Sequence, residues 1–194
     1  MDEDRLRAVF RALAEHDVEY AVFGAVALGL HGLARATADV DLFVPADREN
    51  VERLKRALRA VFDDSSIDEI SADDLCGDYP AVRYYPPDGF GFDILTRLGD
   101  AFRYEDLDVE ERDYGGAIVK VVTARTLWQL KKDTSRPTDR IDAQLLADGG
   151  EIELQGIRLV HAHVRGVRVS GTQGCRQVAV EFDSVDVADP FEQP

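Results

Sequence analysis

The chain has 194 residues, 45% of them hydrophobic and 31% charged, with a formal net charge of −15 at pH 7. That length suits one domain with a sizeable core plus a small appendage, and the balance of apolar and charged residues excludes a disordered chain. No apolar run approaches the roughly 20 residues of a membrane-spanning helix, and so acidic a chain is a poor match for extended nucleic-acid backbone.

Leu6, Val9, Phe10 and Leu13 recur at helical spacing, which predicts an amphipathic helix from Asp2 to about His16. A first strand follows over Glu19 to Phe23. Gly24 then makes a tight turn into a short helix, Ala25 to Leu30, whose free N–H groups would face an anion. His31-Gly32 fits a helix end, and the helix dipole favours a histidine there, so His31 reads as structural rather than catalytic. The second strand runs from Asp39 to Val44 and is closed by Pro45. Successive strand side chains alternate, so Asp39 and Asp41 project from one face while Val40, Leu42 and Val44 point into a core. Two carboxylates held side by side repel unless a cation lies between them or one stays protonated. Magnesium takes carboxylate oxygens and shares its remaining positions with phosphates, so a metal beside a phosphate-binding turn points to a nucleoside triphosphate. Taken alone, alternating aspartates are also the pattern of a solvated strand face.

Asp47 caps a helix to about Phe62, with Val51, Leu54, Leu58 and Val61 on its buried side. The acidic stretch from Asp63 to Asp78 reads as a loop with a short strand or turn near Ile67 to Ile70, placed to serve as a mobile edge of the site. Pro86-Pro87-Asp88-Gly89 turns a hairpin between the strands Ala81 to Tyr85 and Phe90 to Leu95. Phe92 and Ile94 face one way, which leaves Asp93 on the opposite face of an apolar strand, where an aspartate needs a partner or a ligand. Further short strands are expected at Leu107 to Arg112 and Ala117 to Val122. Thr123 caps a helix to Lys132, and Pro137 or Thr138 starts another with Asp139 and Asp142 in its first two turns, where acids are favoured. Lys131 and Arg136 stand where they could reach a triphosphate, although such residues near helix ends need no function.

After residue 148 the pattern changes to strand alternation (Ile152/Leu154, Val167/Val169, Val178/Val180/Phe182) separated by glycines, which predicts a β-rich or partly disordered extension over 149–194. His161 and His163 share a strand face without an evident third ligand. The acidic start Met1-Asp2-Glu3-Asp4 lacks the positive segment of a signal peptide, and Cys76 and Cys175 lack metal-ligand spacing, so the expected location is the cytoplasm.

The run from Phe23 to Val44 resembles the core of the nucleotidyltransferase superfamily that includes DNA polymerase beta. Within it the run is similar to small bacterial AbiEii-type toxins, whose pattern is roughly G-G-x-A-x-x-x-H-G-x-x-R-x-T-x-D-x-D. Gly24, Ala27, His31, Gly32, Arg35, Thr37, Asp39 and Asp41 stand where that pattern asks, and Ala25 departs from the usual Gly or Ser. Lys131 followed by Arg136-Pro137-Thr138-Asp139 and Asp142 resembles the family's second signature. The resemblance covers roughly Asp2 to Leu146, residues 1–148 being the corresponding domain. It implies an α/β (α+β) minimal nucleotidyltransferase fold, with a mixed twisted sheet backed by helices. It also implies that Asp39, Asp41 and Asp93 hold two Mg2+ (or Mn2+) ions and that Asp93 accepts the acceptor's proton. Gly24 and Ala25 would hold the NTP phosphates, helped by Arg35, Thr37, Lys131 and Arg136. The acceptor implied is an RNA end, a protein hydroxyl or a small molecule such as an aminoglycoside, and an antitoxin partner is implied by analogy alone. The alternative is a catalytically silent module on the same fold that binds NTP or a partner.

Overall fold

A computed structural model describes residues 2–33, 35–87 and 89–147, together with the backbone of 164–170 and 177–182. Asp2 accepts the backbone N–H groups of Asp4 and Arg5 and so starts helix α1 (Glu3–Glu15), whose stripe Leu6, Val9, Phe10 and Leu13 is buried as the spacing requires. Strand β1 (Ala21–Phe23) runs straight into helix α2 (Gly24–Leu30), and β2 (Asp39–Phe43) follows. Asp47 caps α3 (Arg48–Val61) through the N–H of Asn50. The fully buried Asn50 then clamps the backbone of Glu19 with two 2.8 Å hydrogen bonds, fixing where β1 begins.

Beyond α3 come a short α4 (Ala72–Leu75), the hairpin β3 (Ala81–Tyr84) and β4 (Gly91–Leu95), and a two-stranded ribbon of β5 (Arg97–Leu98) and β6 (Phe102–Arg103). A second hairpin, β7 (Val109–Tyr114) and β8 (Ala117–Val122), leads to α5 (Ala124–Lys132), capped by Thr123, and to α6 (Pro137–Ala147). Six strands form one mixed sheet in the order β3-β4-β2-β1-β8-β7, as expected of the α/β class. The pairs β2/β4 and β1/β8 are parallel and the others antiparallel. Parallel neighbours need long crossovers, and the chain through α3 and α4 supplies one of them. Val40, Leu42, Phe92 and Ile94 are fully buried on the face covered by α1 and α3, where the Phe62 ring meets Tyr84 and Phe92. Helices α2, α5 and α6 lie on the other face, the one that carries the aspartates.

The acidic stretch after α3 takes the expected turn rather than a strand, and it does not line the cavity that holds the aspartates. Ser65–Glu69 is a 3-10 helix started by the Asp64 carboxylate, and Ser71 caps α4. Ile67, Ile70 and Leu75 are buried, the segment packs against α3, and none of its residues lines the cavity that holds the aspartates. Three apolar residues among acids make a weak periodic signal, yet each side chain finds the core. The β5/β6 ribbon is an addition to the predicted elements. In the C-terminal region β9 (Val164–Ser170) and β10 (Gln177–Phe182) pair antiparallel, Val167 opposite Val180 and Val169 opposite Val178, as their alternation predicts. Ile152, Leu154, His161, His163 and the boundary at 148/149 lie outside the described residues.

Candidate active site

The parallel register of β2 and β4 sets Asp41 beside Asp93 and Asp39 beside Gly91. All three carboxylates therefore leave the sheet on one face, as the alternation in each strand demands. Two glycines make room for them. Gly24 has φ +67°, a conformation that side chains resist, and a Cβ there would lie 1.9 Å from Asp41 Oδ2. A Cβ on Gly91 would come within 2.7 Å of Asp39 Oδ1.

The carboxylates open into a cavity of about 580 Å³. All nine site residues expected from the sequence line it: Gly24, Ala25, Arg35, Thr37, Asp39, Asp41, Asp93, Lys131 and Arg136. Phe23, Leu98, Leu127 and Leu130 give it apolar walls, and Arg83, Thr134, Ser135 and Asp139 complete the polar lining. Thr37 shapes the approach to β2, its hydroxyl lying 3.2 Å from the Asp39 carbonyl and 3.4 Å from the Asp39 N–H. No side chain caps α2, so the N–H groups of its first turn are not taken up by a side-chain cap at the cavity wall.

Burial, followed by the repulsion of Asp93, pushes the Asp41 carboxyl up to about 6, with a smaller push from Asp39 and opposing pulls from Lys131 and Arg35. Asp93 is held differently. Arg83, its cross-strand partner on β3, donates from Nε to Oδ1 at 2.5 Å and from Nη2 to Oδ2 at 2.6 Å, a two-pronged ion pair that engages both carboxylate oxygens. That contact holds the proton of the Arg83 guanidinium more firmly than usual.

Lys131 does not extend freely into the cavity. Its almost fully buried ammonium donates to Asp139 Oδ1 at 2.8 Å and lies 2.9 Å from Asp142 Oδ2, while Arg35 Nε lies 3.2 Å from the other oxygen of Asp142. Asp139 and Asp142 thus serve as counter-ions that tie α5, α6 and the chain before β2 together. Burial alone would raise the Asp139 carboxyl, but the hydrogen bond and charge of Lys131, with Thr134 and Arg136 adding to them, hold it below the ordinary carboxylate value. Of the basic residues expected to face a phosphate, Arg136 lines the mouth and Arg35 stands half exposed between Asp142 and the cavity. His31 ends α2, as its position predicts, its Nε2 lying 2.8 Å from the Val122 carbonyl. Its Nδ1 faces Glu110 at 3.6 Å, so the ring joins α2 to β8 and β7 and is not in the cavity lining.

Asp39 and Asp41 suit a divalent cation. They are hard oxygen donors on one face, and burial together with the repulsion of Asp93 raises the Asp41 carboxyl, a cost that a cation between them would offset. Asp93 fits the same ion only when Arg83 has let it go. Among the described residues no three acids, histidines or cysteines are disposed as a metal-holding group. Arg83 is the residue that inspection of the sequence missed. Counting back around a four-residue Pro86-Gly89 turn sets Arg83 opposite Phe92, one residue short of the register in which it meets Asp93.

No family model and no curated protein sequence matches the chain. Among solved structures it is similar to ANT(2")-Ia in complex with adenylyl-2"-tobramycin, at 14% identity and a TM-score of 0.46, over 75% of this chain and 87% of that one. The α/β class stands on the chain's own sheet, helices and register.

Proposed function

We propose that the chain is a nucleotidyltransferase that moves a nucleoside monophosphate from an NTP to an acceptor hydroxyl and releases pyrophosphate. The observation that supports this best is the pairing of Asp41 with Asp93 in neighbouring strands, with Asp39 on the same face and Arg35 and Arg136 across one cavity. In this reading Asp39 and Asp41, with Asp93 once Arg83 has released it, would hold the divalent cation, magnesium or manganese. When bound, that ion offsets the charge of the triphosphate and of the attacking and leaving oxygens. Gly24 and Ala25 bring backbone N–H groups to the phosphates, and Arg35 and Arg136 supply positive charge at the mouth. Lys131, fixed by Asp139 and Asp142, contributes a rigid positive charge behind Asp41. Asp93 accepts the proton of the attacking hydroxyl, which requires it to exchange Arg83 for the acceptor.

The acceptor classes are an RNA end, a protein hydroxyl and a small molecule such as an aminoglycoside. A place in a toxin-antitoxin pair, with an antitoxin as partner and the cytoplasm as location, belongs to the same proposal. A second reading is favoured by the grip of Arg83 on Asp93: a catalytically silent module that binds an NTP or a partner protein. Incubation with each α-labelled NTP and magnesium, followed by separation of RNA, protein and small-molecule fractions, decides between them. Transfer predicts label in one fraction with wild type and none with Asp41→Asn. Retained NTP binding with no label in any fraction would favour the silent module.

A further inference from the structure

We propose that Arg83 is a latch on the cavity, a built-in counter-ion that holds Asp93 while no divalent cation is bound and must release it before Asp39, Asp41 and Asp93 can share one. This inference rests on the metal-dependent reading above and names how that site is regulated. Three carboxylates line one cavity, yet among the described residues no three such groups are disposed to hold an ion. Asp93 differs from the other two in its partner. The guanidinium of Arg83 takes both its oxygens, at 2.5 and 2.6 Å, and forms part of the same cavity wall. A cation approaching Asp93 therefore meets a positive charge already seated there, and a carboxylate cannot serve both at full strength.

Arg83 is also placed to leave. It stands on β3, the edge strand of the sheet, and its side chain is 58% exposed, against 22% for Asp93. The Tyr85 ring lies 5.9 Å from its guanidinium carbon and offers the freed cation a surface that keeps it near the cavity. A triphosphate entering with the metal would present a second anion to the same guanidinium, so that Arg83 exchanges a carboxylate for a phosphate. Arg83 is thus a positioning residue, acting through Asp93, and the latch makes cation binding and triphosphate binding mutually supporting. A purely structural cross-strand ion pair would have no such coupling.

The test needs no substrate and no turnover. Manganese is titrated into the full-length chain without nucleotide, and bound ion is measured by electron paramagnetic resonance. Arg83→Gln should bind the ion about tenfold more tightly than wild type, the scale on which removing one adjacent charge acts. Arg83→Lys, which keeps the charge without the fork, should fall between them. Joining Asp93→Asn to Arg83→Gln should abolish the gain, and Arg112→Gln, which removes the same charge from β7 at the opposite edge of the sheet, should bind as wild type does, whereas a general effect of lowering the net positive charge would appear there as well. Equal or weaker binding by Arg83→Gln overturns the latch and leaves the metal-dependent reading standing. Absence of binding in every variant, including Arg83→Gln, overturns both. Should Arg83→Gln not fold, Arg83→Lys alone decides: tighter binding than wild type supports the latch and equal binding refutes it.

Discussion

The Asp41 carboxylate occupies the space that a side chain at Gly24 would need. The chain turns through φ +67° at Gly24, and any side chain there would strike the Asp41 carboxylate. Gly24→Ala should therefore lower stability by about 1–3 kcal/mol in chemical denaturation, from backbone strain together with displacement of Asp41. It should also weaken manganese binding, because the carboxylate it displaces is one of the two best donors. Asp93 carries a different burden. A group that takes a proton in the transition state adds little to ground-state binding, so at saturating manganese Asp93→Asn should cut single-turnover transfer by about 10²–10⁴-fold while NTP affinity changes little. If both quantities stay at wild-type levels, Asp93 is only the anchor of Arg83.

At the scale of elements, the pair α5 and α6 is held by ion pairs as well as by Leu127, Trp128 and Leu146. Lys131→Met would leave Asp142, which is 1% exposed, with Arg35 as its remaining ionic partner. Loss of one member of a buried pair predicts destabilisation of about 3 kcal/mol, readable as a shift in the urea midpoint. The depressed carboxyl of Asp139 has its own signature. It contributes stability above the unfolded-chain value near 3.8, and that contribution disappears as pH falls through the lower folded value. These elements also show what the residues of the chain disclose by themselves. Asp47 and Thr123 are legible as helix caps, the Pro86-Gly89 turn as a hairpin, and Asp39, Asp41 and Asp93 as one face, because each follows from a local period or turn. Burial of Lys131 between two acids depends instead on how α5 meets α6, and the packing of Ile67 depends on α3. No window of sequence contains those distances. The fork of Arg83 on Asp93 belongs with these, since the four-residue turn alone would set Arg83 opposite Phe92 and the observed register is shifted by one residue.

In the molecule as a whole, the six-stranded sheet, its helices and the residues lining the cavity all lie between Glu3 and Ala147. A chain ending at Ala147 should therefore keep a cooperative melt, with loss of that transition showing that the β9/β10 region completes the fold. The site sets a second global property. In the folded, metal-free protein Asp41 keeps its proton to about pH 6, whereas in the unfolded chain it loses it near 3.8. Between those values the folded state binds more protons, so stability falls as pH rises and stays reduced above pH 6, by up to about 3 kcal/mol. Asp41→Asn removes that slope. The most direct test is a thermal melt at pH 7 of wild type and Asp41→Asn, each without metal and with manganese plus NTP. Without metal, Asp41→Asn should melt at or above wild type. With both ligands at about a hundredfold excess over their dissociation constant, wild type should gain about 2.7 kcal/mol and the variant little of it. A less stable metal-free Asp41→Asn, together with a wild type that ignores manganese and NTP, would contradict the metal-dependent nucleotide site.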